Sequence, residues 1–266
     1  MLLPRIIPCL LVKGGGLVKT IRFGNPKYVG DPINAVKIFN EKETDELIVL
    51  DIDATAHGVE PDFKMIAHLA IECRMPLCYG GGVRTVEQAK KIIGLGVEKV
   101  ALSSAAIEDR SLVSRIAVEV GSQSVVVVLD VKRGGTSRRY DVWTHNGTRN
   151  SALEAIEVAR EVEARGAGEI VINSIDNDGV MGGYDLELAA EMRRAIHVPM
   201  TVLGGAGALA DLSKVITACG IVGVAAGSLF VFKGPYRAVL INYPDPVRKE
   251  TLVRTALQAS SLGGGP

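Results

Sequence analysis

Hydrophobic and polar positions along the chain fall into two alternating kinds of segment. Short runs rich in β-branched residues recur at 5–12, 46–52, 76–81, 98–103, 124–131, 168–174, 199–204 and 221–226. Between them lie longer stretches with apolar residues at helical spacing, among them Pro61 to Cys73, Thr85 to Leu95 and Ser151 to Arg165. The run Val125-Val126-Val127-Val128-Leu129 is apolar without alternation, as a strand covered on both faces requires. Strand and helix in alternation predict βα units on a parallel sheet, an α/β fold class. Eight such units predict one closed (β/α)8 TIM barrel over 1–258, with a disordered tail over 259–266; an open doubly wound sheet is the alternative.

The second half of the chain repeats the first in the same order. Asp45-Glu46-Leu47-Ile48-Val49 is echoed by Gly168-Glu169-Ile170-Val171-Ile172, and Tyr79-Gly80-Gly81-Gly82 by Leu203-Gly204-Gly205-Ala206. Gly96-Val97-Glu98-Lys99 through Ser104 is echoed by Gly220-Ile221-Val222-Gly223 through Ser228. Leu10-Leu11-Val12-Lys13 is echoed by Leu129-Asp130-Val131-Lys132. Four matches in register predict a duplicated four-unit half-barrel.

Composition narrows the function classes. Thirty basic and thirty acidic side chains balance at zero formal charge, which removes the electrostatic reason for a nucleic-acid or anionic-membrane partner. No apolar run spans a bilayer and no signal peptide is read at the N-terminus, so a cytoplasmic protein is expected. Cys9, Cys73, Cys78 and Cys219 form no CxxC pair and sit in apolar patterns, which reads as structural burial. Neither a metal nor a cofactor is expected.

Candidate chemistry gathers at the strand ends. The third and seventh runs end in glycines, and the fourth and eighth in Ser103-Ser104 and Gly227-Ser228. Glycine backbone and serine hydroxyl suit phosphate binding at a barrel mouth; the same glycines also serve as plain turn formers. Asp51 and Asp53 end the second run, Asp130 the fifth, and Asp176 and Asp178 the sixth. Such carboxylates are general acid or base candidates, or they bond loop amides. Asp130 has the stronger claim, interrupting an apolar run before a basic glycine-rich loop, yet its repeat counterpart is Leu11, which transfers no proton. The stretch Lys13 to Pro32 reads either as a mobile lid carrying Lys19 over an anionic ligand or as a solvated basic loop. Arg138 to Arg149 alternates around Asn-Gly and predicts a hairpin, with His145 at the surface rather than acting as a base. At the opposite end, Arg5, Glu46, Lys99 and Glu169 stand at strand entrances with signs that suit a closed salt-bridge ring.

Over nearly its whole length the chain resembles the cyclase subunit of imidazole glycerol phosphate synthase. The segments that carry the likeness are RIIPCL, SQSVVVVLDVKR, GAGEI, SIDNDG and GGAG. The resemblance implies a two-fold barrel with a glutaminase partner docked on its bottom. Ammonia would enter through a gate of Arg5, Glu46, Lys99 and Glu169, beside a docking acid at Glu98, and travel to a phosphorylated ligand at the mouth. Gly82, Ser103 and Ser104 match one phosphate site, and Gly205, Gly227 and Ser228 the other, with Asp178 and Gly179 beside it. Lys19, Asp51 and Asp176 fall at loop and substrate positions. Asp130 matches one of two catalytic aspartates, Leu11 replaces the second, and Ser103 replaces an asparagine. The segments PCLLVKGGGLVKT, YGGGVRT and GSLFVFKGPYRAVLINYP are similar to a paralogous branch linked to amidation of bacterial surface sugars. In that branch ammonia is delivered to a third, ATP-dependent enzyme that builds an acetamidino group for O-antigen or a related glycan. The alternatives are a histidine-pathway cyclase using Asp130 with Asp51 or Asp176 as substitute acid, and a ligand-binding barrel that regulates its partner.

Overall fold

The computed structural model describes residues 3–134 and 139–263. Eight strands follow the expected runs: β1 (Arg5–Lys13), β2 (Leu47–Asp51), β3 (Leu77–Gly80), β4 (Lys99–Leu102), β5 (Val125–Arg133), β6 (Glu169–Ser174), β7 (Met200–Leu203) and β8 (Gly223–Ala226). Each pairs in parallel with the next, and β8 returns to β1 through Arg5↔Gly223 to Pro8↔Ala226. The sheet is therefore a closed (β/α)8 barrel rather than an open one.

Local chemistry sets the helix starts. Asp31, Asp62 and Asp185 accept from backbone N–H groups of the first turns, and Thr85 with Gln88 closes a capping box. The outward faces of the strands bury Val49, Tyr79, Val127 and Ile172 against these helices. The inward faces form a second, separate apolar cluster: Ile7, Cys9, Ile48, Cys78, Ala101, Val126, Val128, Val171, Leu203 and Ala225, with Leu11 and Leu50 at its upper edge. Cys9 and Cys78 are buried, Cys73 and Cys219 partly so, and all four thiols are free. No described helix is long and apolar enough to cross a membrane.

Both β1 and β5 run on into antiparallel hairpins, so the repeat extends beyond the barrel. β1 pairs with Gly16–Ile21, which pairs with Gly24–Gly30. β5 pairs with Tyr140–Thr144, which pairs with Arg149–Glu154. The hairpin expected after the fifth run is present, with Arg138 itself outside the described residues. Its second strand takes 149–154, so the helix expected from Ser151 begins at Ala155, where the Glu154 carboxylate caps it.

Lys13 to Pro32 is not an irregular loop but carries two strands, the first largely buried and the second largely exposed. In the first, the apolar Leu17 and Val18 fold back to pair with Val12 and Leu11 of β1 and are buried, and the turn at Arg22 and Phe23 packs over the mouth. At the C-terminal end, the helix Pro246–Gly263 carries regular structure into the stretch expected as a tail, while 264–266 lie outside the described residues.

Candidate functional site

The mouth of the barrel holds a cavity that gathers many of the residues singled out above. Leu11, Lys19, Asp51, Gly82, Ser103, Ser104, Asp130, Asp178, Gly227 and Ser228 line it. Gly179, Gly205 and Asp176 lie outside its lining. The Gly179 and Gly205 carbonyls accept from Arg237 and from the Gly183 amide, at 2.8 and 2.9 Å. Gly82 (φ +73°) and Gly205 (φ +119°) both take backbone conformations that favour glycine. At Gly205 a side chain would also collide with the Gly183 carbonyl.

Asp130 occupies the floor. Asn173 Nδ2 donates to its Oδ1 at 2.9 Å and Ser103 Oγ to its Oδ2 at 3.3 Å. The Asn173 Oδ1 is buried without a partner, which commits that amide to Asp130. Burial pushes the Asp130 carboxyl up to about 7; its two hydrogen bonds oppose the rise and nearby Asp178 adds to it. Leu11 stands at the matching place on β1: each is half-buried, and each is followed by a buried valine and an exposed lysine. Symmetry therefore brings an aliphatic side chain to the place where a second acid would stand.

A carboxyl whose folded pKa is raised from 3.8 to about 7 binds a proton on folding between those values. Its contribution to stability is complete below about pH 4 and is lost as pH rises through 7. Asp130→Asn, which does not titrate, should therefore exceed the wild type in stability at pH 8 by on the order of 2 kcal/mol. The gap should close toward pH 5. Denaturant unfolding at the two pH values checks this.

The remaining acids divide by role. Asp51 accepts from the amides of Asp53 and Ala54 at 3.0 and 3.2 Å, and burial raises its pKa. Asp176 accepts from the Arg133 amide at 3.0 Å. Both thus bond loop amides, as strand-end aspartates commonly do. Asp178 is buried enough to raise its pKa and accepts from Thr20 Oγ1 at 3.0 Å.

Lys19 is only 5% exposed and lies inside the mouth, where its Nζ donates to the Cys9 carbonyl at 2.6 Å. Desolvation lowers its pKa, with Asp178 opposing. A side chain at Gly227 would run into its ammonium group, so that glycine makes room for it. The tips of the two hairpins meet above: a side chain at Gly147 would lie 2.9 Å from the Phe23 ring. His145 is largely covered; its amide donates to Ser104 Oγ at 2.9 Å and its ring lies 3.5 Å from Glu108.

At the other end the four charged strand starts close into a ring. Arg5 bonds Glu46 through one guanidinium nitrogen and Glu169 Oε1 through the other at 2.7 Å. Lys99 Nζ lies 2.8 Å from both Glu46 Oε1 and Glu169 Oε2. Burial alone would raise the Glu169 carboxyl, but Arg5 and Lys99 hold it down at about 2. Lys99 is likewise held above its ordinary value by the two glutamates, against burial. Between the ring and the mouth lies the apolar inner cluster, with the Cys78 thiol pushed well up and so uncharged. Glu98 is exposed beside this end.

Sequence reasoning missed Asn173, Thr20 and Thr201. Asn173 had a signal: aligning the repeats sets it against Leu50, the same polar-for-leucine contrast that marks Asp130 against Leu11. Thr20 and Thr201 carried none, being short polar residues in otherwise ordinary strands.

Comparison with known proteins accords with this architecture. The family model described as histidine biosynthesis protein matches residues 5–236. A Leptospira interrogans protein named "Putative imidazole glycerol phosphate synthase subunit HisF" is 57% identical over 252 residues, 95% of this chain and 99% of that protein. A Vibrio vulnificus counterpart, similarly named but as hisF3, is 55% identical over 250 residues, 94% of this chain and 96% of its own. The imidazole glycerol phosphate synthase subunit HisF of Hyphomonas neptunium is 39% identical over 252 residues, 93% and 99% of the two chains. The duplicated barrel, its mouth and this span of similarity together place the chain in the histidine biosynthesis protein family, among its HisF-like barrels.

Proposed function

We propose that this barrel is the synthase-side subunit of a glutamine amidotransferase and acts as an ammonia conduit rather than as a cyclase. The observation that carries this reading is the pairing of Leu11 opposite Asp130 with an intact charged ring at the far end. Cyclisation with loss of a leaving group needs an acid and a base on opposed sides of the substrate, and only one carboxyl of that pair remains. The conduit asks for less. A ring of paired charges blocks water and ions, and an apolar interior passes neutral ammonia at little desolvation cost while excluding ammonium.

The bottom of the barrel suits a protein partner. Ile71 and Val118, in the last turns of two helices, are 79% and 84% exposed, and Ile221, just before β8, is 51% exposed. These side chains and Glu98 lie at the strand-entrance end of the barrel, which supports docking of a glutaminase there. At the mouth, Gly82, Ser103 and Ser104 on one side, and Gly205, Gly227 and Ser228 with Asp178 and Gly179 on the other, are the groups proposed to hold a phosphorylated ligand. Lys19 supplies the cation beside the second set. The ammonia acceptor is proposed to be a nucleotide-linked sugar, amidated by a separate ATP-dependent enzyme.

Glutaminase docking has a direct test. The barrel is expected to bind a glutaminase subunit and stimulate glutamine hydrolysis, and Glu98→Arg is expected to weaken that complex about tenfold. Calorimetric titration measures the affinity. No complex with the wild-type barrel would count against the amidotransferase reading as a whole.

A further inference from the structure

The two acids of the ring are not equivalent, and the difference leads to Thr201. Among the described residues, Glu46 accepts only from Arg5 and Lys99. Glu169 accepts from the same two cations and from one further donor, the hydroxyl of Thr201, which reaches its Oε1 at 2.6 Å. Thr201 is fully buried on β7, where the charged ring meets the apolar inner cluster of the barrel. Valine would fill the same volume there, without the cost of about 1–3 kcal/mol that a buried hydroxyl carries when unpaired. The hydroxyl is kept because it has a charged acceptor within reach.

Room for it is made by the neighbouring strand. Gly223 pairs with both Arg5 and Thr201 in the barrel register. A side chain at Gly223 would overlap Thr201 Oγ1 and lie 3.0 Å from its Cβ. In the internal repeat Gly223 is the counterpart of Lys99. One half-barrel thus offers a cation to the ring at this place, and the other offers an empty position that Thr201 fills.

We infer that Thr201 is a fifth member of the ring, a positioning residue that keeps Glu169 fixed while a cation leaves it. Its hydroxyl is anchored to the wall of the barrel, whereas Arg5 and Lys99 reach the ring on long flexible side chains. When either cation swings away, Glu46 loses one of two partners but Glu169 retains two of three. The ring therefore opens with one side standing, and Glu169 is not drawn into the apolar interior or out to the surface. This inference rests on the conduit reading for its purpose but not for its chemistry.

The experiment is a double-mutant cycle on the full chain, read by denaturant unfolding, with Thr201→Val, Thr201→Ser and Lys99→Met. If the hydroxyl holds Glu169 when Lys99 is absent, Lys99→Met should reduce the folding constant about tenfold more in the Thr201→Val background than in the wild type. Thr201→Ser, which keeps the hydroxyl and loses the methyl, should show no such coupling. Additive effects, or coupling in Thr201→Ser equal to that in Thr201→Val, would overturn the inference, because a packing role follows the methyl. A second arm measures the ratio of glutamine hydrolysed to ammonia delivered in the glutaminase complex, where Thr201→Val should lower delivery and Thr201→Ser restore it. If Lys99→Met impairs delivery and Thr201→Val does not, the inference about Thr201 fails and the conduit stands. If neither variant impairs delivery, it is the conduit that fails.

Discussion

Replacing Lys99 by methionine is expected to destabilise the barrel by about 3–5 kcal/mol, far more than the loss of one surface lysine. Lys99 touches both acids of the ring, and its removal leaves Glu46 and Glu169, both nearly fully buried, with Arg5 as their shared cation. Burial then works against Glu169, which its two cations hold at about 2. Its pKa rises when one cation is gone. The loss in stability should therefore be largest near neutral pH and shrink in acid, where protonation of Glu169 relieves the unpaired charge. Urea unfolding of both proteins at pH 5 and pH 7.5 measures it. Where the variant still folds, glutamine hydrolysis in the complex should continue while ammonia leaks to solvent. Equal stability at both pH values would mean that the ring is a surface decoration rather than a buried network.

Restoring the missing carboxyl is expected to have the largest effect on chemistry. A positioned general acid or base contributes roughly 10²–10⁴-fold to rate. Leu11 lines the same cavity as Asp130, and the strand around it is built as β5 is built around Asp130. Leu11→Asp is accordingly expected to raise ammonium-dependent formation of imidazole glycerol phosphate at least tenfold over the wild type. The substitution also places a second carboxyl in a half-buried mouth, so a loss of about 1–3 kcal/mol in stability should accompany it. Single-turnover assays with saturating substrate separate the rate gain from any change in binding. A stable Leu11→Asp protein with no gain would show that the mouth has lost more than one acid.

Most of the barrel was legible because its short β-branched strand runs alternate with longer stretches at helical spacing. The internal repeat made closure legible, since it set eight units in two matched halves. The charged ring was legible too, because two bases and two acids stand at strand entrances with signs that suit pairing. The first hairpin was not. Gly14, Gly15 and Gly16 resemble a flexible loop, and nothing local says that Leu17 and Val18 will fold back to pair with β1 or that Lys19 beside them will be buried. Lys19 shows why: its ammonium finds the Cys9 carbonyl and room over Gly227, both supplied by the folded barrel. Thr201 was hidden for a similar reason. Its role depends on what Gly223 lacks and on where Glu169 lies, and those facts exist only in three dimensions. The same limit applied at Ser151, where a helical pattern overlapped the end of a hairpin strand that pairs with Asp141 and Trp143.

The proposal that the barrel conducts ammonia without cyclising is tested most directly on the wild-type chain alone. Supplied with ammonium salt and the phosphoribulosyl substrate, it needs no glutaminase, so gate and docking drop out of the measurement. The account predicts no imidazole glycerol phosphate above the uncatalysed background, because Asp130 faces Leu11. Robust turnover would contradict it, since another group would then be doing the work of the absent carboxylate and the barrel would be a cyclase.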